Sequence, residues 1–300
     1  MKTRIIAAAV LLPIFFAILF IFPPIVLTIL VSIISALAAS ELLYATKNEK
    51  KRIRIYTLIS AAFVPIAVYL STLPMYAPDP TTAENASINA PRDPYSALIL
   101  ITLLMTIVFF LLCMLIIEAV LAFRTEKQIK IRQILISLAA GLLIPYALSS
   151  LISLKTMPYG HLLVLLPIVS TMLTDSGAYF TGIAIGKRKP FPTISPNKTV
   201  EGYIGGIITG TIGMMIYGII LSYATPLFIM YPALILYGIL GAIVTELGDL
   251  LFSYIKRKCE IKDYSRLIPG HGGVLDRFDS MILNAPLMYL LVTTLPALAT

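Results

Sequence analysis

Residues 248–280 read GDLLFSYIKRKCEIKDYSRLIPGHGGVLDRFDS. This polar segment lies between two long apolar runs, 227–255 and 277–298. An ionisable side chain at the centre of a membrane helix costs about 2.5–3.5 kcal/mol on insertion scales. Acids, bases, a His and a Gly-rich turn clustered at one end of such helices therefore point to use, and the chemistry they suit is the holding of metal and phosphate.

Across the 300-residue chain, hydrophobic residues make up 58% and charged residues 13%, with a mean hydropathy of +0.92. A soluble domain has roughly twice that charged fraction. The expected fold is all-α, a single polytopic transmembrane domain over 1–300 with about nine spans. Residues 1–170 supply N-terminal spans, and 171–300 supply spans and cytoplasmic loops with the polar motifs. Apolar runs fall near 5–22, 24–45, 54–73, 96–123, 133–154, 159–186, 201–223, 227–255 and 277–298. The first run is longer than the apolar core of a signal peptide and no small-residue cleavage site follows it, so it reads as a retained span. The two cysteines, Cys113 and Cys259, fit neither a disulfide framework nor a zinc site.

Basic residues set the expected orientation. Of the 23 Lys and Arg, all but Arg92 and Lys155 fall on one face of the nine-span arrangement. That face is the cytoplasmic one and includes the N-terminus. The net charge of +8 belongs to it, and suits anionic headgroups rather than nucleic acid.

Four constellations share this face. Asp175, Tyr179 and Gly182 stack on one helical side; Asp175 taken alone is equally a buried acid with a basic partner. The segment 186–202, GKRKPFPTISPNKTVEG, runs a basic loop into a helix start, an arrangement that favours anions. Within it Lys198 is read as functional, and Lys187, Arg188 and Lys189 as solvated charges. Glu246, Asp249, Ser253 and Lys256 lie along one helical face; the acids call for positive partners, with Lys256, Arg257 or a bound cation available. In PGHGGVLDRFD, 269–279, the glycines allow a turn that exposes N–H groups, and Asp276 and Asp279 open the last span. His271, flanked by glycines, has little core to belong to. Carboxylates without soft ligands favour Mg²⁺ or Mn²⁺ over zinc or copper. There is no Walker-type P-loop, dinucleotide fingerprint or kinase motif set.

At these residues the chain resembles the CDP-diacylglycerol synthase family, the phosphatidate cytidylyltransferases. The pattern S-x-x-K-R, K-D, P-G-H-G-G-x-x-D-R-x-D is supplied by Ser253, Lys256, Arg257, Lys262, Asp263, Pro269, Gly270, His271, Gly272, Gly273, Asp276, Arg277 and Asp279. DSGAYFTGIAIGK at 175–187, SPNKTVEG at 195–202 and LGD at 247–249 are similar too. The detailed likeness covers about 175–281, and Tyr264-Ser265-Arg266 departs from the small polar residues common there.

The resemblance implies transfer of CMP from CTP to phosphatidate, giving CDP-diacylglycerol and pyrophosphate, in an integral protein of the cell (inner) membrane with its site facing the cytoplasm. It implies Asp249 and Asp276 as metal ligands, with Asp175 and Glu201 as additional ligands or supporting groups, and a second cation such as K⁺ beside Mg²⁺. Lys198, Lys256 and Arg277 would hold phosphates, with His271 and Asp279 in the catalytic set; Asp279 is either a ligand or an orienting partner for Arg277. Ser195, Asn197, Thr199, Glu201, Ser253, Gly270, Gly272 and Gly273 would contact substrate.

Two alternatives stand beside this reading: a CTP-dependent lipid kinase, and an ion or phosphate transporter with acids lining a path. The nearly uncharged outer halves of the spans disfavour the transporter. Gly205, Gly206, Gly210 and Gly213 suit either a homodimer or internal packing.

Overall fold

The computed structural model describes residues 13–48, 50–73, 94–124, 131–268, 270 and 272–299. Among them are seven helices long and apolar enough to cross a membrane. The expected first span, 5–22, lies partly outside the described residues. The expected ninth exists as a helix, Leu275–Thr294, but Asp276, Arg277, Asp279 and Asn284 leave it too polar to be counted with the seven.

The chain divides into two compact units. The first draws its described residues from Met1–Ala77, Arg92–Ser153 and Ile261–Arg277, the second from Leu154–Glu260 and Phe278–Thr300. The segment 261–277 groups with the N-terminal helices.

In the first unit α1 (Pro24–Ala45) packs on α2 (Lys51–Thr72), and α2 on α3 (Pro94–Arg124). Proline at the start of α1 costs no hydrogen bond, since the first-turn N–H groups have no helical partner in any case. The next helix begins as α4 (Ile131–Leu138), widens to a π-helical turn at Ala139–Leu143, and continues as α5 (Ile144–Lys155). A side chain at Gly141 would come within 3.2 Å of Leu111 and Thr57, so glycine lets this turn lie against α2 and α3. Ile53, Leu111 and Leu115 form a buried core there, packed by Tyr56, Ile134, Leu138 and Leu142. Polar ties join the same helices: Asn48 Nδ2 donates to Ser137 Oγ at 3.2 Å, and Arg52 faces the buried Glu118 at 3.6 Å.

In the second unit a short α6 (Gly160–Leu163) leads into α7 (Leu165–Ile185), followed by α8 (Val200–Ala224) and α9 (Tyr231–Lys258). Most of α10 (Leu275–Thr294) also belongs to this unit. Two-residue strands, β1 (Phe228–Ile229) and β2 (Leu298–Ala299), pair antiparallel beside the ends of α8 and α10. With lipid on the outside, little hydrophobic force draws membrane helices together, so contact relies on small residues that let backbones approach. The glycines of α8 do this. A Cβ at Gly205 would fall 2.2 Å from Thr181 Oγ1, one at Gly210 2.4 Å from Thr174 Oγ1, and one at Gly213 2.1 Å from Leu173 Cδ1. These glycines face α7, so internal packing accounts for them. Asn284 of α10 donates to Pro167 O at 3.2 Å and to Thr171 Oγ1 at 2.8 Å, which ties α10 to α7 with a buried amide.

Gly238 of α9 meets α8 backbone to backbone, because an added Cβ would lie 2.5 Å from Thr211 Cα. Backbone cannot move aside as a side-chain tip can. Gly238→Ala is expected to destabilise the second unit by about 1–3 kcal/mol, read as a lowered melting temperature in detergent; unchanged melting would disprove this close approach.

Candidate active site

The second unit holds a cavity of about 590 Å³ lined by residues of α7, the 186–199 segment, α8 and α9. Its polar walls include Asp175, Asn197, Lys198, Thr199, Tyr203, Glu246 and Asp249. Thr199 forms its rim and starts α8: its hydroxyl accepts from Gly202 N at 3.1 Å, a side-chain N-cap. Gly182 and Gly202 face each other, an added Cβ at Gly182 lying 3.8 Å from Gly202 Cα. That approach brings the loop end carrying Lys198 close to α7.

Lys198 is the centre of the site. Its ammonium forms an ion pair with the Asp249 carboxylate and lies 5.5 Å from the centre of the Tyr203 ring, within cation–π range. Asp249 also accepts a hydrogen bond from Ser253 Oγ at 3.1 Å, one helical turn on. Burial pulls the Lys198 pKa down; the charge of Asp249, the hydrogen bond with it, and the fields of Tyr203 and Asp175 together outweigh burial and raise it above the ordinary 10.5. A raised lysine pKa means the pair's contribution to stability is complete below the unfolded value and is lost only as pH rises through the folded one. Lys198 is thus a fixed cation at neutral pH.

Glu246, one turn before Asp249, is 7% exposed and its Oε1 has no hydrogen-bond partner. Three carboxylates, Asp175, Glu246 and Asp249, line this cavity, and Lys198 pairs directly with the last of them. Among the described residues no three His, Cys, Asp or Glu side chains are grouped closely enough to hold an ion unaided. This donor set fits Mg²⁺, which is commonly bound through one or two carboxylates with waters and substrate phosphates completing the shell.

Other candidates are placed differently. The Glu201 carboxylate accepts from the backbone N–H groups of Lys187 and Arg188 at 2.9 and 3.2 Å; it shapes the 186–188 turn and is not among the residues lining the cavity. Ser195 helps close the loop, its carbonyl accepting from Lys198 N at 3.3 Å. Arg257 donates from Nε to Ile194 O at 3.1 Å, pinning that loop to α9. Lys256, Arg257 or a bound cation were open as positive partners for the acids of α9; the side chain that pairs with Asp249 is Lys198, because the loop end lies over the acids. Asp279 is buried, with Asp249 and Lys256 near enough to act on its charge, and its Oδ1 accepts from Ser280 N at 2.8 Å. Lys189, read from sequence as a solvated charge, lines the cavity. Tyr203 carried no sequence signal, since an aromatic on an apolar helix reads as lipid contact.

In the first unit the segment 261–277 closes on itself. Gly270 and Gly272 have φ of +76° and +83°, a region glycine enters without strain, and Ile268 N donates to Gly272 O at 2.9 Å. Asp276 is buried, and its Oδ2 accepts from Tyr264 N at 2.9 Å and Gly273 N at 3.0 Å. The Gly273 N–H, expected to face phosphate, is therefore already engaged. Arg277 is exposed, and His271 lies outside the described residues. Asp249 belongs to the second unit and Asp276 to the first.

Thr199→Ala removes the cap of α8 and is expected to cost about 1 kcal/mol of stability, and to lower activity more than it lowers stability because Lys198 precedes the cap. Melting and rate measured on one preparation test this; equal, small losses in both would assign Thr199 to the helix alone.

The model of the Cytidylyltransferase family matches residues 2–295. The phosphatidate cytidylyltransferase of Bacillus subtilis is 42% identical over 134 residues, 45% of this chain and 48% of that protein. The protein of the same name from Staphylococcus saprophyticus is 41% identical over 129 residues, 43% of this chain and 48% of its own, and that from Staphylococcus haemolyticus 42% over 120 residues, 40% and 45%. The matched stretch spans about half the length of these curated relatives.

Proposed function

We propose, from the premise that the chain belongs to the Cytidylyltransferase family, that it transfers CMP from CTP to phosphatidate and releases pyrophosphate. The observation that supports this most is the cavity in which Lys198, Asp249 and Glu246, whose Oε1 accepts no hydrogen bond, come together near the start of α8. A phosphate oxygen of phosphatidate attacks the α-phosphorus of CTP, and the bond from that phosphorus to the oxygen bridging to the β-phosphorus breaks. CDP-diacylglycerol and pyrophosphate result, with no proton needed from a side-chain nucleophile.

The residues of the chain bind and orient. Lys198 exchanges its ion pair for contact with phosphate oxygens, Lys189 adds positive charge on the same wall, and the N–H groups at the capped start of α8 favour an anion beside them. Asp249, with Glu246 and Asp175 on the same cavity, would hold Mg²⁺ or Mn²⁺, which would neutralise charge on the phosphates when bound. A second cation such as K⁺, and Asp276 as a further carboxylate, are carried by the family resemblance and belong to this proposal. Catalysis then rests on positioning and charge neutralisation. Nothing in this reading requires a second copy of the chain.

Incubating the purified protein with CTP, phosphatidate and Mg²⁺ tests the reading through its products. CDP-diacylglycerol with pyrophosphate is expected; CDP with a phosphorylated lipid would replace the proposal by a lipid kinase, and no turnover with vesicle uptake of phosphate by a transporter.

The site is placed on the cytoplasmic face of the cell membrane, because most of the 23 basic residues fall on that face of the expected topology. A membrane-impermeant thiol reagent applied to intact cells is expected to label a cysteine introduced within 74–95 and to spare Cys259. Labelling of Cys259 from outside would reverse the orientation.

A further inference from the structure

Helix α10 begins at Leu275 behind Val274, a residue with no side-chain acceptor, although the first N–H groups of a helix need partners from elsewhere. The partner is Glu41, 6% exposed and the one charged residue of α1. Its Oε1 accepts from Val274 N at 2.9 Å and from Ser265 Oγ at 2.5 Å, and its Oε2 accepts from Leu275 N at 2.7 Å. The Ser265 hydroxyl in turn accepts from Leu267 N at 3.2 Å. Asp276 takes the neighbouring N–H of Gly273 and that of Tyr264. Two carboxylates thereby fix both ends of the 264–275 segment. The close fit also explains Gly273: an added Cβ would lie 2.6 Å from Glu41 Oε2 and 2.7 Å from Oε1.

We infer that Glu41 is a positioning residue for the reaction. It caps α10 from a distant helix and locks the segment that carries Lys262, Asp263, Asp276 and Arg277. A negative charge at a helix N-terminus is favourable in itself. Packing alone would not place a carboxylate here, since a buried charge is costly unless its acceptors are filled, and here the donors come from this one segment. The inference rests on the cytidylyl-transfer reading for its kinetic consequence and on the hydrogen bonds alone for its structural one.

The test compares the full chain with Glu41→Gln, and with Glu118→Gln as a second buried acid of the same unit that pairs with Arg52 instead. The glutamine turns an N–H₂ toward donors. It is expected to speed deuterium exchange at the amides of 273–275 and to lower kcat about 100-fold, with KM for CTP little changed, because small misplacement is costly to rate. Glu118→Gln is expected to leave both readouts as they are. Unchanged exchange at 273–275, an unchanged kcat, or an equal loss in Glu118→Gln would overturn the inference.

Should Glu41→Gln fail to fold, Gly273→Ala addresses the same contact by forcing the carboxylate away. It is expected to speed exchange at the amides of 274 and 275 and to lower kcat with KM for CTP little changed; unchanged exchange or an unchanged kcat in this variant would disprove the coupling. If the unaltered protein makes no CDP-diacylglycerol, the functional reading fails while the exchange comparison still decides the role of Glu41.

Discussion

Asp249→Asn is expected to abolish the proposed CDP-diacylglycerol formation while the protein still folds, the largest effect expected of any single substitution. The asparagine keeps the shape and one acceptor for Ser253 Oγ, now 3.1 Å from Asp249 Oδ1, but removes the charge that answers Lys198. Hydrogen bonds to charged groups contribute about 1.5–3 kcal/mol, and because both side chains are about a quarter exposed the loss of stability should sit near the lower end. The loss of rate should be far greater. Without Asp249 the cavity loses a carboxylate suited to Mg²⁺, and Lys198 loses the group that orients it. The measurement is the initial rate across a Mg²⁺ titration, with melting on the same sample. Near-normal rates with unchanged Mg²⁺ dependence would remove Asp249 from the metal assignment and transfer it to Glu246 or Asp175 on the same cavity.

Lys198→Ala is expected to lower kcat about 10²–10³-fold, the usual effect of deleting one preorganised group that stabilises developing charge. Arg188→Ala should change little. The two residues lie in one basic segment, yet only Lys198 lines the cavity and pairs with Asp249. The backbone N–H of Arg188 is held by Glu201 and its carbonyl by Val200 N, contacts an alanine retains. Lys189→Ala should fall between them, since that side chain does reach the cavity. The readout is kcat and KM for both substrates in each variant. Equal losses for Lys198→Ala and Arg188→Ala would mean that the segment acts only through general positive potential. Lys198→Arg is not a conservative control, because a planar guanidinium is not a compact ammonium.

Much of this protein was legible from the order of its residues. The helices follow the apolar runs closely: the run at 24–45 is the helix Pro24–Ala45, and that at 201–223 lies within Val200–Ala224. In a membrane the backbone must satisfy itself within each segment, so length and hydropathy alone specify a spanning helix. The face shared by Glu246, Asp249 and Ser253 was legible for a similar reason, since helical spacing fixes which side chains stack; the Ser253–Asp249 hydrogen bond is that spacing realised.

Tertiary structure decided what lies between helices. Sequence proximity offered Lys256 and Arg257 to the acids of α9, but Lys198 is the partner, because the glycines of α7 and α8 let the loop end close over that face. Glu201 sits inside the motif yet serves the turn before it, and Tyr203 meets Lys198 only because α8 begins at its cap. Glu41 is the clearest case. Its partners Val274 and Leu275 are more than 200 residues away, and a single acid in an apolar helix announces only that a partner must exist. Helical periodicity acts over a few residues, whereas the donors that satisfy a buried carboxylate are chosen by packing, and no local pattern records which distant backbone supplies them.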